Sequence, residues 1–368
     1  MKKLRIAQIA PLWFDVPPKN YGGTERVVSY ITEGLVAQGH DVTLFASPDS
    51  QTKAKLISPF PNELLQKIEG YLDPHFQALN LSLNADVFKM ASQFDIIHSH
   101  AYYFSFPFSE VVKTPTIHTI HNQLPRGRDT ENAVMKKYRN LNFVSISNEF
   151  RTHFDLNYIA TVYHGIDLQY FPFNARGGEG LFWIGRAAKD KGELGAIEVA
   201  KKTGKKLKLA MSIRKSTQEY VDSEVKSQLN ENIVLVEDIR FEDTAKYYGD
   251  AKAMIFPLEW REPFGLTLIE SMACGSPVIA YSRGSIPEIV KDGETGFVVN
   301  PSESEHHGDF IIKKTGVEGL CEAVQRIYSM SSDDYEKLRA NCRKHVELNF
   351  VAQRMVSDYE KLYYSLVK

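Results

Sequence analysis

The stretch Trp260-Arg261-Glu262-Pro263-Phe264-Gly265-Leu266-Thr267-Leu268-Ile269-Glu270-Ser271-Met272-Ala273-Cys274-Gly275-Ser276-Pro277-Val278-Ile279-Ala280 follows the apolar run Ala253–Pro257, which reads as a strand. Within it, Leu266–Cys274 reads as a helix and Val278–Tyr281 as the next strand. Glu262–Gly265 is therefore a loop at the carboxyl end of a strand, opening a helix. Gly265 lets a ligand approach the backbone closely. The amides around Phe264, Gly265 and Leu266, with the helix dipole behind them, form an anion site. Glu262 in the loop and Glu270 about one turn into the helix bracket that site, eight residues apart. Carboxylates accept hydrogen bonds from vicinal hydroxyls, as in a hexose or a ribose. The segment suits a sugar, a diphosphate and a ribose in sequence.

The same alternation extends outward in both directions. Upstream, Leu181–Ile184, Leu207–Met211 and Ile233–Val236 are strand-like, Glu193–Lys202 is helical, and Thr244–Tyr248 lies in a short helix. The first half repeats the theme with strands at Arg5–Ala10, Val42–Ala46, Asp95–Ser99, Thr116–Ile120 and Phe143–Ile146. Thr24–Gln38 carries Val27, Val28, Ile31, Leu35 and Val36 at helical spacing and ends before Gly39. Such alternation favours parallel sheets covered on both faces. The expected fold is α/β, two doubly wound Rossmann-like domains with an interdomain cleft. The domains expected are 1–173 and 181–351, joined by the polar, glycine-rich 174–180 as linker. The stretch 352–368 is amphipathic through Met355, Tyr359, Leu362, Tyr363 and Leu366, which predicts a helix at the end of the fold.

Composition excludes several classes. At 368 residues the chain exceeds what one core usually holds, so two domains are the default. Lys and Arg number 44 against 46 Asp and Glu, which leaves no global field to attract nucleic acid. Three scattered cysteines, Cys274, Cys321 and Cys342, argue against a disulfide framework or a zinc knuckle. The apolar run Ile6–Pro11 is too short for a signal-peptide core, and no run is long enough to span a membrane. The expectation is a soluble, cytoplasmic protein without cofactor or metal. No Asp-x-Asp occurs, so a carboxylate pair for a divalent metal is missing, and cationic side chains and helix amides must meet the charge of a leaving diphosphate. Nor is there a Gly-x-Gly-x-x-Gly after the first strand or a Gly-x4-Gly-Lys-[Ser/Thr], which disfavours a dinucleotide dehydrogenase and a P-loop NTPase.

Glu262-Pro263-Phe264-Gly265-Leu266 followed by Glu270 resembles the Glu-x7-Glu signature of retaining glycosyltransferase family 4, of GT-B fold. The resemblance continues through Gly284-Ser285-Ile286-Pro287-Glu288 and Asp292-Gly293 with Thr295-Gly296-Phe297. It covers nearly the whole chain: Tyr21-Gly22-Gly23-Thr24-Glu25 resembles the family's N-terminal glycine loop, and His98, His100 and His121 its N-domain histidine positions. His164-Gly165-Ile166-Asp167 resembles an Asn-Gly-Ile-Asp element, with His replacing Asn. Gly185-Arg186 with Lys191-Gly192 resembles the diphosphate-binding pair. The resemblance implies that Arg186 and Lys191 neutralise the donor diphosphate, that Glu270 holds the ribose and Glu262 the sugar. It adds Gly22, Gly23, Phe264, Gly265 and Leu266 as donor contacts, and a terminal helix crossing back to the first domain. Two departures stand out: Ser212-Ile213-Arg214-Lys215 lacks the usual glycines, and Trp260 with Arg261 enlarges the loop before Glu262.

Taken singly, these residues have plainer readings. A lone Gly-Arg with Lys-Gly is usually a solvated surface pair, and Glu270 alone a helix-surface carboxylate. His98 and His100 are expected on opposite faces of their strand, which disfavours a metal pair and leaves His98 packed. His118 and His121 lie in a strand-like pattern, not a helical zinc pair. His121, past the strand end, is expected to touch the donor sugar. Tyr102 to Phe108 reads first as core packing, and Lys136, Lys137 and Arg139 as a solvated helix face, with weak peripheral membrane contact as the lesser reading. The function expected is retaining, metal-independent transfer of a hexosyl group from a nucleoside-diphosphate sugar, UDP-hexose by the family's habit, to a hydroxyl of a carbohydrate or lipid-linked acceptor. A nucleotide-sugar epimerase or phosphorolytic enzyme is the alternative.

Overall fold

The computed structural model describes residues 2–20, 22–65, 73–122 and 129–367. Two compact units divide the chain, residues 1–165 with 352–368 and residues 166–351. Each is built on one parallel sheet.

The first unit holds β1 (Arg5–Ile9), β2 (Asp41–Phe45), β3 (Lys55–Ile57), β4 (Ile96–Ser99), β5 (Thr116–Thr119), β6 (Asn142–Ser145) and β7 (Tyr158–Thr161), in the order β3-β2-β1-β4-β5-β6-β7. Ile6 stands opposite Val42 on one side and Ile96 on the other. The central strands are buried along nearly their full length, as strands covered on both faces must be. The Gly23–Ala37 helix buries Val27, Val28, Ile31 and Leu35, the stripe its sequence spacing marks out.

The terminal helix, Ala352–Leu366, belongs to this first unit and buries Met355, Val356, Tyr359 and Tyr363. It lies against the Gly23–Ala37 helix so closely that a Cβ at Gly34 would sit 2.5 Å from Val356 Cγ2. Gly34→Ala should therefore destabilise the first unit by about 1–3 kcal/mol, the range for overpacking. Adding Val356→Ala should recover part of that loss. Denaturant unfolding of the three variants checks it, and a neutral Gly34→Ala would refute the contact. Among the described residues no helix is long and apolar enough to cross a membrane.

The second unit holds β8 (Leu181–Arg186), β9 (Leu207–Ser212), β10 (Ile233–Glu237), β11 (Ala253–Phe256), β12 (Val278–Tyr281) and β13 (Gly296–Val299), in the order β10-β9-β8-β11-β12-β13. Residues 166–173, read from sequence as the end of the first domain, group with this unit, and the Ile166 amide donates to Phe350 O at 2.9 Å. The glycine-rich stretch after them is docked. Asn174 donates through Nδ2 to Gly249 O at 3.0 Å and through its amide to Cys274 O at 3.1 Å. The fully buried Arg339 donates to Asn174 O, Gly249 O, Ala251 O and Cys274 O, holding the segment on the ends of two helices. A Cβ at Gly178 would fall 1.9 Å from Asp250 O, so this glycine serves close approach, not flexibility.

Candidate active site

In the second sheet the strand order turns back between β8 and β11. Open α/β sheets take ligands at the carboxyl ends of such strands. Arg186 ends β8 and the Glu262 loop follows β11.

Three backbone devices place Lys191. The buried Trp183 indole donates to Lys191 O at 3.1 Å. The Glu259 amide donates to Asp190 O at 3.0 Å. Gly192, at φ +79°, opens the Glu193–Thr203 helix where a Cβ would lie 2.0 Å from Pro257 O, so only glycine lets the chain pass so near the end of β11. The Lys191 side chain then meets Glu262, with Nζ 3.8 Å from Oε2, and the two side chains are only 12% and 13% exposed. Trp260 Nε1 donates to the same oxygen at 3.1 Å, and Lys191 Nζ stands 3.8 Å from the Trp260 ring centre. Burial lowers the Lys191 ammonium below the ordinary lysine value, with Glu262 pulling the other way. Arg186 is looser, 3.7 Å from Asp190 Oδ2 and 39% exposed.

Glu262 itself is fixed from behind. The Ser285 amide donates to Glu262 O at 2.9 Å, and Ser285 Oγ donates to Phe264 O at 3.0 Å. Gly265, at φ +89°, caps the Leu266–Ala273 helix with no side-chain cap, and Phe264 is buried. On that helix Glu270 accepts a hydrogen bond from the buried Tyr248 hydroxyl at 2.9 Å. Burial first, and Glu270 second, raise that phenol well above its ordinary value, so it stays a donor. The second unit thus brings Lys191 and Glu262 into contact, with Arg186 at the end of β8 and Gly265, Leu266 and Glu270 at the cap and in the helix that follow β11. Sequence reading missed Tyr248 and Trp183, and noted Trp260 as a departure only.

The first unit carries the remaining candidates. Gly22, at φ +150°, caps the Gly23–Ala37 helix, with a Cβ 2.8 Å from Pro18 excluded. Tyr21 lies outside the described residues. His121 hydrogen-bonds through Nε2 to His100 Nδ1 at 2.8 Å and through Nδ1 to His164 Nε2 at 3.3 Å. His100 Nε2 in turn bonds Gln8 Oε1 at 3.0 Å, Gln8 Nε2 donates to Tyr363 OH at 3.0 Å, and Tyr363 OH meets His98 Nδ1 at 2.7 Å. Both ring nitrogens of His121 are thereby engaged inside the unit. The opposite-face expectation for His98 and His100 is overturned: their ring centres are 3.9 Å apart. Residues two apart on an extended chain point the same way. Burial depresses His98, His100 and His164 well below the ordinary imidazole value and takes His118 and His121 to about 3. These rings are neutral at physiological pH.

Two doubly wound parallel sheets, the second with a cation and a carboxylate joined where its strand order turns back, define an enzyme of GT-B fold. The chain belongs to the family 4 and group 1 glycosyltransferases: Glycosyltransferase Family 4 matches residues 21–170, and Glycosyl transferases group 1 matches residues 174–314. It is 23% identical over 407 residues to glycogen synthase of Mycobacterium tuberculosis, covering 97% of this chain and 91% of that protein. Sucrose-phosphate synthase of Thermosynechococcus elongatus shares the fold at TM-score 0.77 and 21% identity, with 99% of each chain covered. HepE of Anabaena, solved in complex with UDP and glucose, shares it at TM-score 0.74 and 16% identity, over 99% of this chain and 100% of that one.

Proposed function

We propose that this glycosyltransferase moves a hexosyl group, with retention and without a metal, from a nucleoside-diphosphate sugar to a hydroxyl of a carbohydrate or lipid-linked acceptor. UDP-hexose is the donor favoured, in line with the UDP and glucose held by HepE. The reaction is proposed to take place in the cytoplasm. The observation that carries the reading is the Lys191–Glu262 contact at 3.8 Å, a cation for a phosphate beside a carboxylate for a hydroxyl. Arg186 and Lys191 supply the positive charge that a leaving diphosphate requires, and preorganised charge of this kind is usually the largest catalytic contribution. The acceptor attacks on the face the diphosphate leaves, and a phosphate oxygen takes its proton, so no protein base is needed. His121, with both ring nitrogens engaged inside the first unit, is not assigned proton transfer.

A thermal-shift screen of UDP-, GDP- and ADP-sugars tests the donor. A ligand at about 100 times its dissociation constant adds ~2.7 kcal/mol of stability. Transfer products with the anomeric configuration of the donor support retention, and inverted products reject it. No shift with any nucleotide sugar rejects the whole reading.

Tyr248 tests the ribose side. Tyr248→Phe removes the hydrogen bond to Glu270 and keeps the ring, so nucleoside-diphosphate affinity should fall roughly tenfold, the usual worth of a bond to a charged group. Glu262→Gln should leave the free nucleotide nearly unaffected and impair the intact donor. Calorimetry that finds the two variants alike toward the free nucleotide would reject this division.

A further inference from the structure

The loop Leu258–Glu262 puts a tryptophan where both halves of the site meet. Trp260 is half-buried. Its indole N–H lies 3.1 Å from Glu262 Oε2, its ring face 3.8 Å from Lys191 Nζ, and Nζ is 3.8 Å from that same Oε2. The three groups close a triangle. Tryptophan alone among side chains offers an N–H donor in the ring plane and the strongest cation-binding face perpendicular to it.

We propose that Trp260 is a positioning residue of the donor site, tying the diphosphate-binding Lys191 to the sugar-binding Glu262 so that both halves of the donor are recognised together. The inference rests on the nucleotide-sugar reading above. Without the ring, the ammonium swings on a four-carbon stem. Without the N–H, the carboxylate loses the contact that fixes its plane. Among the described residues both side-chain contacts to the carboxylate fall on Oε2, which leaves Oε1 for a group of the sugar. An ionised carboxylate only accepts hydrogen bonds, so the sugar must present a hydrogen-bond donor there, such as a free hydroxyl.

Two variants of the full chain separate the two contacts. Trp260→Phe keeps a face for Lys191 and loses the N–H. Trp260→Leu loses both. Calorimetry with UDP and steady-state kinetics with UDP-glucose give the readouts. Trp260→Phe should bind UDP within about twofold of wild type, while kcat/KM for UDP-glucose falls about tenfold. Trp260→Leu should in addition lose UDP affinity by about fivefold or more. A donor with the contacted sugar hydroxyl replaced by hydrogen should react equally with wild type and Trp260→Phe. Melting temperatures within a few degrees of wild type keep these losses distinct from misfolding, and the Phe variant suffices if the Leu variant does not fold. Wild-type binding of UDP with both variants unchanged, or with both reduced equally toward UDP, overturns the inference alone. A wild type that binds none of UDP, GDP and ADP overturns the nucleotide-sugar reading and this inference with it.

Discussion

Lowering the pH from 7 toward 5 is expected to destabilise the first unit steeply. His98, His100, His118, His121 and His164 are buried there, and burial depresses all five. A base with a depressed folded pKa keeps its stability above its unfolded value of about 6.5 and loses it as the pH falls toward the folded one. The unfolded chain takes up five protons that the folded unit refuses. Glu25 runs the other way: burial raises its carboxyl to about 8, so it gains stability as the pH drops from there toward the ordinary carboxylate range. Five protons less one leaves four, and each is worth about 1.36 kcal/mol per pH unit, so the slope is about 5 kcal/mol per unit below pH 6. Domains hold only about 5–15 kcal/mol in all. In the second unit, the depressed His345 and the raised Glu193 oppose each other. Calorimetric scans between pH 7.5 and 5 should show the first unit melting far earlier in acid, while the second shifts little. His118, held between Ser105 and Ser109 away from the candidate donor residues, supplies the control. His118→Gln should cut the proton uptake by one. An uptake below one proton in the wild type would mean that these rings are charged or hydrated in the folded unit.

The histidines also show where sequence reading stops. Period-two alternation places His98 and His100 on one face, but nothing in their spacing reveals that Gln8 and Tyr363, from opposite ends of the chain, join them. The strands of both sheet centres were legible because strands buried on both faces are continuous apolar runs. β3, β7 and β13 were not: the first two are short edge strands with half-exposed residues, and β13 begins on a glycine inside a motif. The helices Pro74–Lys89 and Ser332–Asn349 carry weak apolar stripes. Their starts were nonetheless written in the chain, as Asp73 before Pro74 and Ser331 three residues before Asp334, both of which cap in the structure. The Glu262–Gly265 loop and the helix carrying Glu270 were legible because a strand end, a glycine and a helix start are local events. Tyr248 was not, since it meets Glu270 from a helix 22 residues upstream.

Arg186→Ala and Lys191→Ala should each lower turnover by roughly 10²–10³, the effect of losing one electrostatic contact to a transition state. The structure predicts that the two are unequal. Arg186 is 39% exposed, and its partner Asp190 remains solvated when the guanidinium is gone. Lys191 is 12% exposed and shares Glu262 Oε2 with the Trp260 indole. Removing its ammonium leaves a shielded carboxylate facing the place where the diphosphate must sit, so repulsion adds to the lost attraction. Lys191→Ala should therefore be the worse variant, by about tenfold. Adding Glu262→Gln to Lys191→Ala should restore nucleotide affinity in part, because the stranded charge is then neutral. Adding the same change to Arg186→Ala should restore nothing. Nucleotide dissociation constants for the four proteins, beside turnover with and without EDTA, decide the matter. Equal losses with no rescue would show that Lys191 and Glu262 act independently. Activity abolished by EDTA while both alanine variants stay near wild type would show that a metal, and not this pair of cations, meets the charge of the leaving diphosphate.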